Sequence, residues 1–134
     1  MPQVITLSKQ EQKRVAGLAY EGRVLRVMLC NVGSTGYTAE NTVANWQSVE
    51  LSGSGYARFS ATIAAGAYND GEGAYVMPDL NAVFTASGLG YTYDSVVSYI
   101  DGSTFVHSVI TESPPIVLSP GQQQTYRLSL RTDD

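Results

Sequence analysis

The chain has one cysteine, one histidine and one tryptophan in 134 residues, and only 15% of its residues are charged. Each scarcity excludes something. With Cys30 alone no intramolecular disulfide can form, and inside "VLRVMLCNV" this thiol reads as a small buried apolar side chain. A lone thiol is compatible with assembly in a reducing cytosol. One His and one Cys far apart cannot build a zinc site without several carboxylates. "NDGEG" at 69–73 lacks the spaced acidic pattern and the terminal bidentate Glu of a calcium loop, so neither metal nor cofactor is expected. A net charge of −4 argues against the basic face that phosphate binding needs, so nucleic acid is not expected as a partner. No apolar run is long enough to span a bilayer, and "MPQVITLSKQEQKR" has no signal-peptide core; neither a membrane nor a secretory route is expected. Phosphate loops, dinucleotide fingerprints and a Gly-x-Ser-x-Gly elbow are absent.

Gly and Tyr, in contrast, are plentiful: thirteen glycines, and nine tyrosines against three Phe and one Trp. That profile suits turns and half-buried strand faces, not a helical bundle. The length fits one domain, read as an N-terminal arm over 1–12 and an all-β domain over 13–134. "RVLRVMLCN" (23–31) is a strand covered on both faces, with Arg26 its only polar interruption. "EQKRVAGLAYEG" before it is ambiguous between helix and strand. Thr38 is a candidate N-cap for one short helix near residues 39–47, in which Val43 and Trp46 would face the same way. "YARFSATI" (56–63) alternates with Phe59, Ala61 and Ile63 on one side. The run 74–87 is one bent strand or two, broken at Pro78. Asp101-Gly102 is a two-residue hairpin signal, predicting Ile100 opposite Ser103, Tyr99 opposite Thr104, Val97 opposite Val106 and His107 opposite Val96. Pro114, Pro115 and Pro120 suit edges and turns, and residues 126–131 alternate as a last strand. About eight or nine strands result, and the simplest architecture is an antiparallel β-sandwich, jelly-roll-like.

His107 lies near Asp94, Asp101 and several serines, yet in no setting that assigns a nucleophile; a packed strand histidine is the simpler reading. Asp79, Asp94, Asp101 and Glu112 are the carboxylates a glycosidase pair would draw on, and each also reads as a turn or edge residue. No catalytic residue is assigned, and the chain reads as non-enzymatic. Five of the eight basic residues (Lys9, Lys13, Arg14, Arg23, Arg26) come early, either as a solvated face or as a surface for an acidic protein partner. The aromatics carry the one positive signal. Tyr37, Trp46, Tyr68, Tyr75, Tyr91 and Tyr93 are the candidate interface residues, since tyrosine and tryptophan suit interfaces and sugar platforms alike.

Taken in order, "KRVAGLAYEGRVLRVMLCN", "GYTAENTVANWQSVELSGSGYARFS", "GLGYTYDSVVSYIDGSTFVHS" and "ESPPIVLSPGQQQTYRLSL" resemble small virion proteins of tailed bacteriophages, cyanophages included. The likeness spans about residues 10–131. It implies a particle component made in the bacterial cytoplasm and placed on the capsid surface: a decoration (cement) protein, trimeric or otherwise oligomeric, whose partners are the major capsid protein and copies of itself. It brings no catalytic residues and no residue-level interface. Met1 to Gln12 would then lie along a neighbour and add a strand to its edge. The rival expectation is a tail- or fibre-associated carbohydrate-binding module, which needs exposed aromatics in a concave row.

Overall fold

A computed structural model describes residues 8–33 and 36–132. Two helices, α1 (Lys9–Ala19) and α2 (Val43–Gln47), accompany eight strands: β1 (Val24–Cys30), β2 (Phe59–Thr62), β3 (Ala67–Asn69), β4 (Ala74–Val76), β5 (Leu80–Thr85), β6 (Tyr91–Ile100), β7 (Ser108–Leu118) and β8 (Gln123–Leu128). All pairings are antiparallel, in a four-stranded sheet of order β2-β1-β6-β7 and two ribbons, β3-β4 and β5-β8. This is the all-β class the composition predicts. β5 runs along β8, and beyond Pro78 the chain stays beside residues 130–132, past the end of β8, with Met77 N–H on the Leu130 carbonyl and a Val76–Arg131 bridge. The proline breaks the strand, as expected of a residue that cannot donate to a ladder.

β1 and β6 are buried on both faces. On the inner face Leu25, Val27, Leu29, Tyr93 and Val96 pack against Ala82, Phe84, Tyr126 and Leu128 of the β5-β8 ribbon. On the outer face Met28, Cys30, Val97 and Tyr99 pack beneath Val43 and Trp46 of α2. Adjacent residues of a strand point to opposite faces, so the apolar residues of β1, interrupted only at Arg26, supply both cores. Trp46 has no exposed surface, and its indole N–H donates to the Thr38 carbonyl at 3.1 Å.

Three expectations need correction. First, the ambiguous segment before β1 is a helix. Ser8 caps it by accepting the Glu11 N–H at 3.1 Å. Gln12 is buried and ties α1 to the Gly73 carbonyl and the Tyr75 N–H. Residues 9–12 of the predicted arm are thus in a helix packed on its own domain; residues 1–7 lie outside the described residues. Second, the 39–47 helix begins at Val43, because Thr42 and not Thr38 caps it, in a reciprocal box with Asn45. The Thr38 hydroxyl instead accepts from Glu40 N–H in a local turn. Third, the Asp101-Gly102 turn forms, with Ser103 N–H on the Ile100 carbonyl at 2.9 Å, but it does not set the strand register. A two-residue type I′ hairpin needs positive φ at both central residues, and only Gly102 (φ 87°) has it. Thr104 and Phe105 leave the sheet for α2: the Thr104 carbonyl takes the Val43 N–H, and Phe105 bridges to Thr42. Pairing restarts at Ser108, so Val97 faces Val109 and Val96 faces Ile110, and His107 falls before the strand with its N–H on the Ser98 carbonyl.

Candidate functional site

α2 covers only part of the outer face. Where it stops, β1, β2 and β6 leave an open cleft of about 620 Å³, walled by Thr42 to Ala44 and Gln47 on one side and by 101–104 on the other. Its floor is built by register. Arg26 of β1 lies opposite Ser60 on β2 and Tyr99 on β6. The Arg26 guanidinium donates to Asp101 at 2.9 Å and to the Ser60 hydroxyl at 3.0 Å. Arg58, just before β2, clasps Glu50 through Nε and Nη2 at 2.8 Å each and reaches the Tyr99 hydroxyl at 3.1 Å with Nη1. Glu50 also accepts the Tyr56 O–H at 2.7 Å, and Tyr56 in turn accepts the Leu29 N–H at 3.0 Å.

The hydrogen bond to Glu50, more than any other effect, holds the Arg58 guanidinium well above its ordinary range. Burial first, and then the same carboxylate, push the Tyr56 phenol up. Two cations meet two carboxylates, so the cleft floor is charge-balanced and rich in planar hydrogen-bonding groups. Such a floor suits a neutral polar ligand or a polar surface of a partner. Sequence reasoning missed Glu50, Arg58 and Gln47 here. The available signal was Arg26, a lone cation in a strand otherwise apolar on both faces.

A second concavity, about 560 Å³, opens between the edge strand β7 and the start of β8. The two strands follow each other through the Ser119–Gln122 turn yet belong to different sheets, so the seam between them carries no ladder among the described residues. Glu112, Pro114, Pro115 and Val117 line one side and Gln122 to Gln124 the other. Beneath it the Tyr93 and Tyr126 hydroxyls share a hydrogen bond of 2.7 Å, and burial raises both phenols above their ordinary range.

The six aromatic candidates do not come together. Trp46 and Tyr93 have no exposed surface and Tyr91 only 5%; these three are core residues, Trp46 because α2 packs it onto the outer face and the two tyrosines because β6 is covered on both faces. Tyr37 is half-buried, edge-on to Trp46 at 5.6 Å. Tyr68 and Tyr75 face each other across the β3-β4 ribbon, with the Lys9 ammonium 4.7 Å above the Tyr68 ring. A concave row of exposed aromatics is therefore not formed by this set.

The polar residues weighed in the sequence have structural partners. His107 is edge-on to Tyr20 at 5.8 Å, and the Ser98 and Ser108 hydroxyls bond each other. Asp94 accepts the Val32 and Gly33 N–H groups at 2.9 and 3.0 Å and the Ser95 hydroxyl at 3.1 Å. Asp79 ties Arg127 to Ser129, whose hydrogen bonds hold its carboxyl below the usual range. In the 69–73 turn Asp70 pairs with Lys9 at 2.8 Å and Glu72 with Arg131 at 3.1 Å, so both carboxylates are engaged in ion pairs. Among the described residues no three His, Cys, Asp or Glu side chains are grouped as metal ligands, and no helix is long and apolar enough to cross a membrane. No family model, no curated protein and no solved structure matches the chain.

Proposed function

We propose that this chain is a non-enzymatic structural component of a tailed-phage particle, a decoration protein that binds the major capsid protein at the head surface and bridges adjacent capsid subunits. The observation that carries the reading is the open β7/β8 seam: two strand edges end side by side without a ladder, which is the kind of surface that docks another polypeptide by main-chain pairing. The resemblance described above supplies the setting, and the dispersal of the aromatics weighs against a sugar-stacking platform. In this role the protein stabilises the shell by binding the assembled lattice in preference to free subunits, and many modest contacts sum to firm attachment. The test is to add purified protein to phage heads lacking it. Saturable occupancy seen by electron microscopy and a raised temperature of head disruption are expected. No binding to heads at any maturation stage would overturn the reading.

One observation favours a second reading, a host-adhesion module on tail or fibre. The Arg26/Arg58 cleft combines guanidinium, carboxylate and amide groups suited to vicinal sugar hydroxyls. Titration of host surface glycans monitored by NMR would place shifts at Gln47, Arg58 and Gly102 in that case; shifts elsewhere, or none, would reject it.

A further inference from the structure

The β7/β8 seam owes its shape to a mismatch in β7. Tyr93 pairs with Ile116 and Ser95 with Thr111, so β6 has one residue, Asp94, where β7 has four, 112–115. Pro114 and Pro115 cannot donate to a ladder, and the four residues leave the β6 pairing to form one wall of the seam. The β8 wall is regular. The Ala86 N–H bonds the Gln122 carbonyl, and the register pairs Phe84 with Gln124 and Ala82 with Tyr126. Ladder bonds alternate along an antiparallel pair, so the backbone groups of Gln123 and Thr125 point away from β5, into the seam. Ile110 and Ile116 of β7 stay only half-buried against the inner core. A strand added to β8 would satisfy those backbone groups and lay alternate side chains over the two isoleucines.

Charge says which strand fits. Glu112 is the only charged residue lining the seam, and the facing Gln122 to Gln124 are neutral. Among the described residues, the other buried or half-buried carboxylates each meet a cation or a backbone N–H. Glu11 pairs with Arg14 and Glu50 with Arg58, Asp94 takes the Val32 and Gly33 N–H groups, and Glu21 takes the Gly66 N–H. Glu112, half-buried, meets neither; its charge acts on the Tyr93 and Tyr126 phenols beneath the seam. A half-buried carboxylate without a counter-ion costs stability, which an incoming cation would offset. We infer that the seam takes an extended segment of its protein partner that pairs with β8 and sets a lysine or arginine side chain against Glu112. The phenol oxygens are further acceptors for such a group, and its aliphatic stem suits the apolar wall. An acidic residue at the same place would face Glu112 and be rejected. The inference rests on the docking reading above and adds the partner's chemistry to it.

The test titrates short end-blocked peptides of alternating valine and threonine, with lysine, glutamate or norleucine at the centre, into the isotope-labelled full chain by NMR. The lysine peptide is expected to shift the Gln123 and Thr125 amides and to bind about tenfold more tightly than the glutamate peptide. In Glu112→Gln, first shown folded by a cooperative melt, that preference should vanish while the norleucine peptide binds both proteins alike. Should the variant fail to fold, the lysine and glutamate peptides on the unaltered chain still decide. No shift on β8 up to millimolar peptide, equal affinity for the lysine and glutamate peptides, or a lysine preference that survives Glu112→Gln would overturn the inference. Lysine selection by a protein that binds no phage heads would uphold it and sink the decoration reading alone. Heads occupied equally by the unaltered chain and Glu112→Gln would keep decoration and remove the cation from it.

Discussion

The two faces of the four-stranded sheet are built from the same strands and end differently. The inner face is apolar from Leu25 to Tyr93 and is closed by the β5-β8 ribbon. The outer face is apolar only beneath Trp46; one strand width away it turns into Arg26, Ser60 and Arg58 and opens to solvent. The β5-β8 ribbon, six residues to a strand, covers the inner face up to the β7/β8 seam, whereas a helix of five residues covers only part of the outer one. The polar residues of the outer face begin where α2 ends, and they satisfy one another there, since among the described residues no buried side-chain polar atom lacks a partner. Burial on that face is set by the size of the lid.

That comparison breaks first at the lid. Trp46→Ala should cost about 3–5 kcal/mol, read from urea unfolding, a loss as large as that of an inner-face residue. If the cost fell below about 1 kcal/mol, α2 would be an ornament on a one-faced sheet and not a second core.

A pH experiment sharpens it. Burial, aided by the Glu50 and Asp94 charges, pushes the Cys30 thiol up to about 12 from an ordinary 9.0. The folded state therefore holds its proton where the unfolded state has lost it. Stability is full below about pH 9 and falls as pH rises toward 12, by about 2–3 kcal/mol at pH 11. The raised Tyr56 and Tyr126 phenols act in the same direction at higher pH. Melting temperatures from pH 8 to 11 should drop less steeply in Cys30→Ala; parallel curves would mean that the thiol is not sealed beneath α2.

Breaking the clasp at the cleft comes next. The Glu50 side chain is 10% exposed and Arg58 34%, so Glu50→Gln should cost about 1.5–3 kcal/mol, toward the lower value because of solvent screening. Asp101→Asn should do least. Its pair with Arg26 is open to water, and the urea midpoint should not move resolvably at physiological salt. If Asp101→Asn matched Glu50→Gln, the cleft floor would be a single network and not two independent pairs.

Local patterns carried much of this into the sequence. Two-sided burial of β1, the shared face of Val43 and Trp46 and the break at Pro78 all follow from residue spacing, because each depends on atoms a few positions apart. What the sequence concealed depends on distant partners. The 101–107 loop looked like a tight hairpin since nothing local reveals that Thr104 and Phe105 bond to α2. The "KQEQKRVAGLA" helix has few apolar residues and is held by Gln12, whose partners lie sixty residues away. The burial of Tyr91 and Tyr93 was hidden for the same reason: they alternate as surface residues would, and distant elements cover them. Of the cleft, Arg26 and Asp101 were visible singly, and their pairing was not.

Trp46 has a practical consequence. It is the only tryptophan in the chain, and it sits in the lid, while the tyrosines Tyr91, Tyr93 and Tyr126 sit in the opposite core. Indole emission therefore follows the departure of α2 alone, and the near-ultraviolet dichroism of the tyrosines, of which Tyr37 and Tyr99 lie on the Trp46 side, follows both cores together. Whether the two layers come apart in one step or in sequence can be watched in the unlabelled molecule.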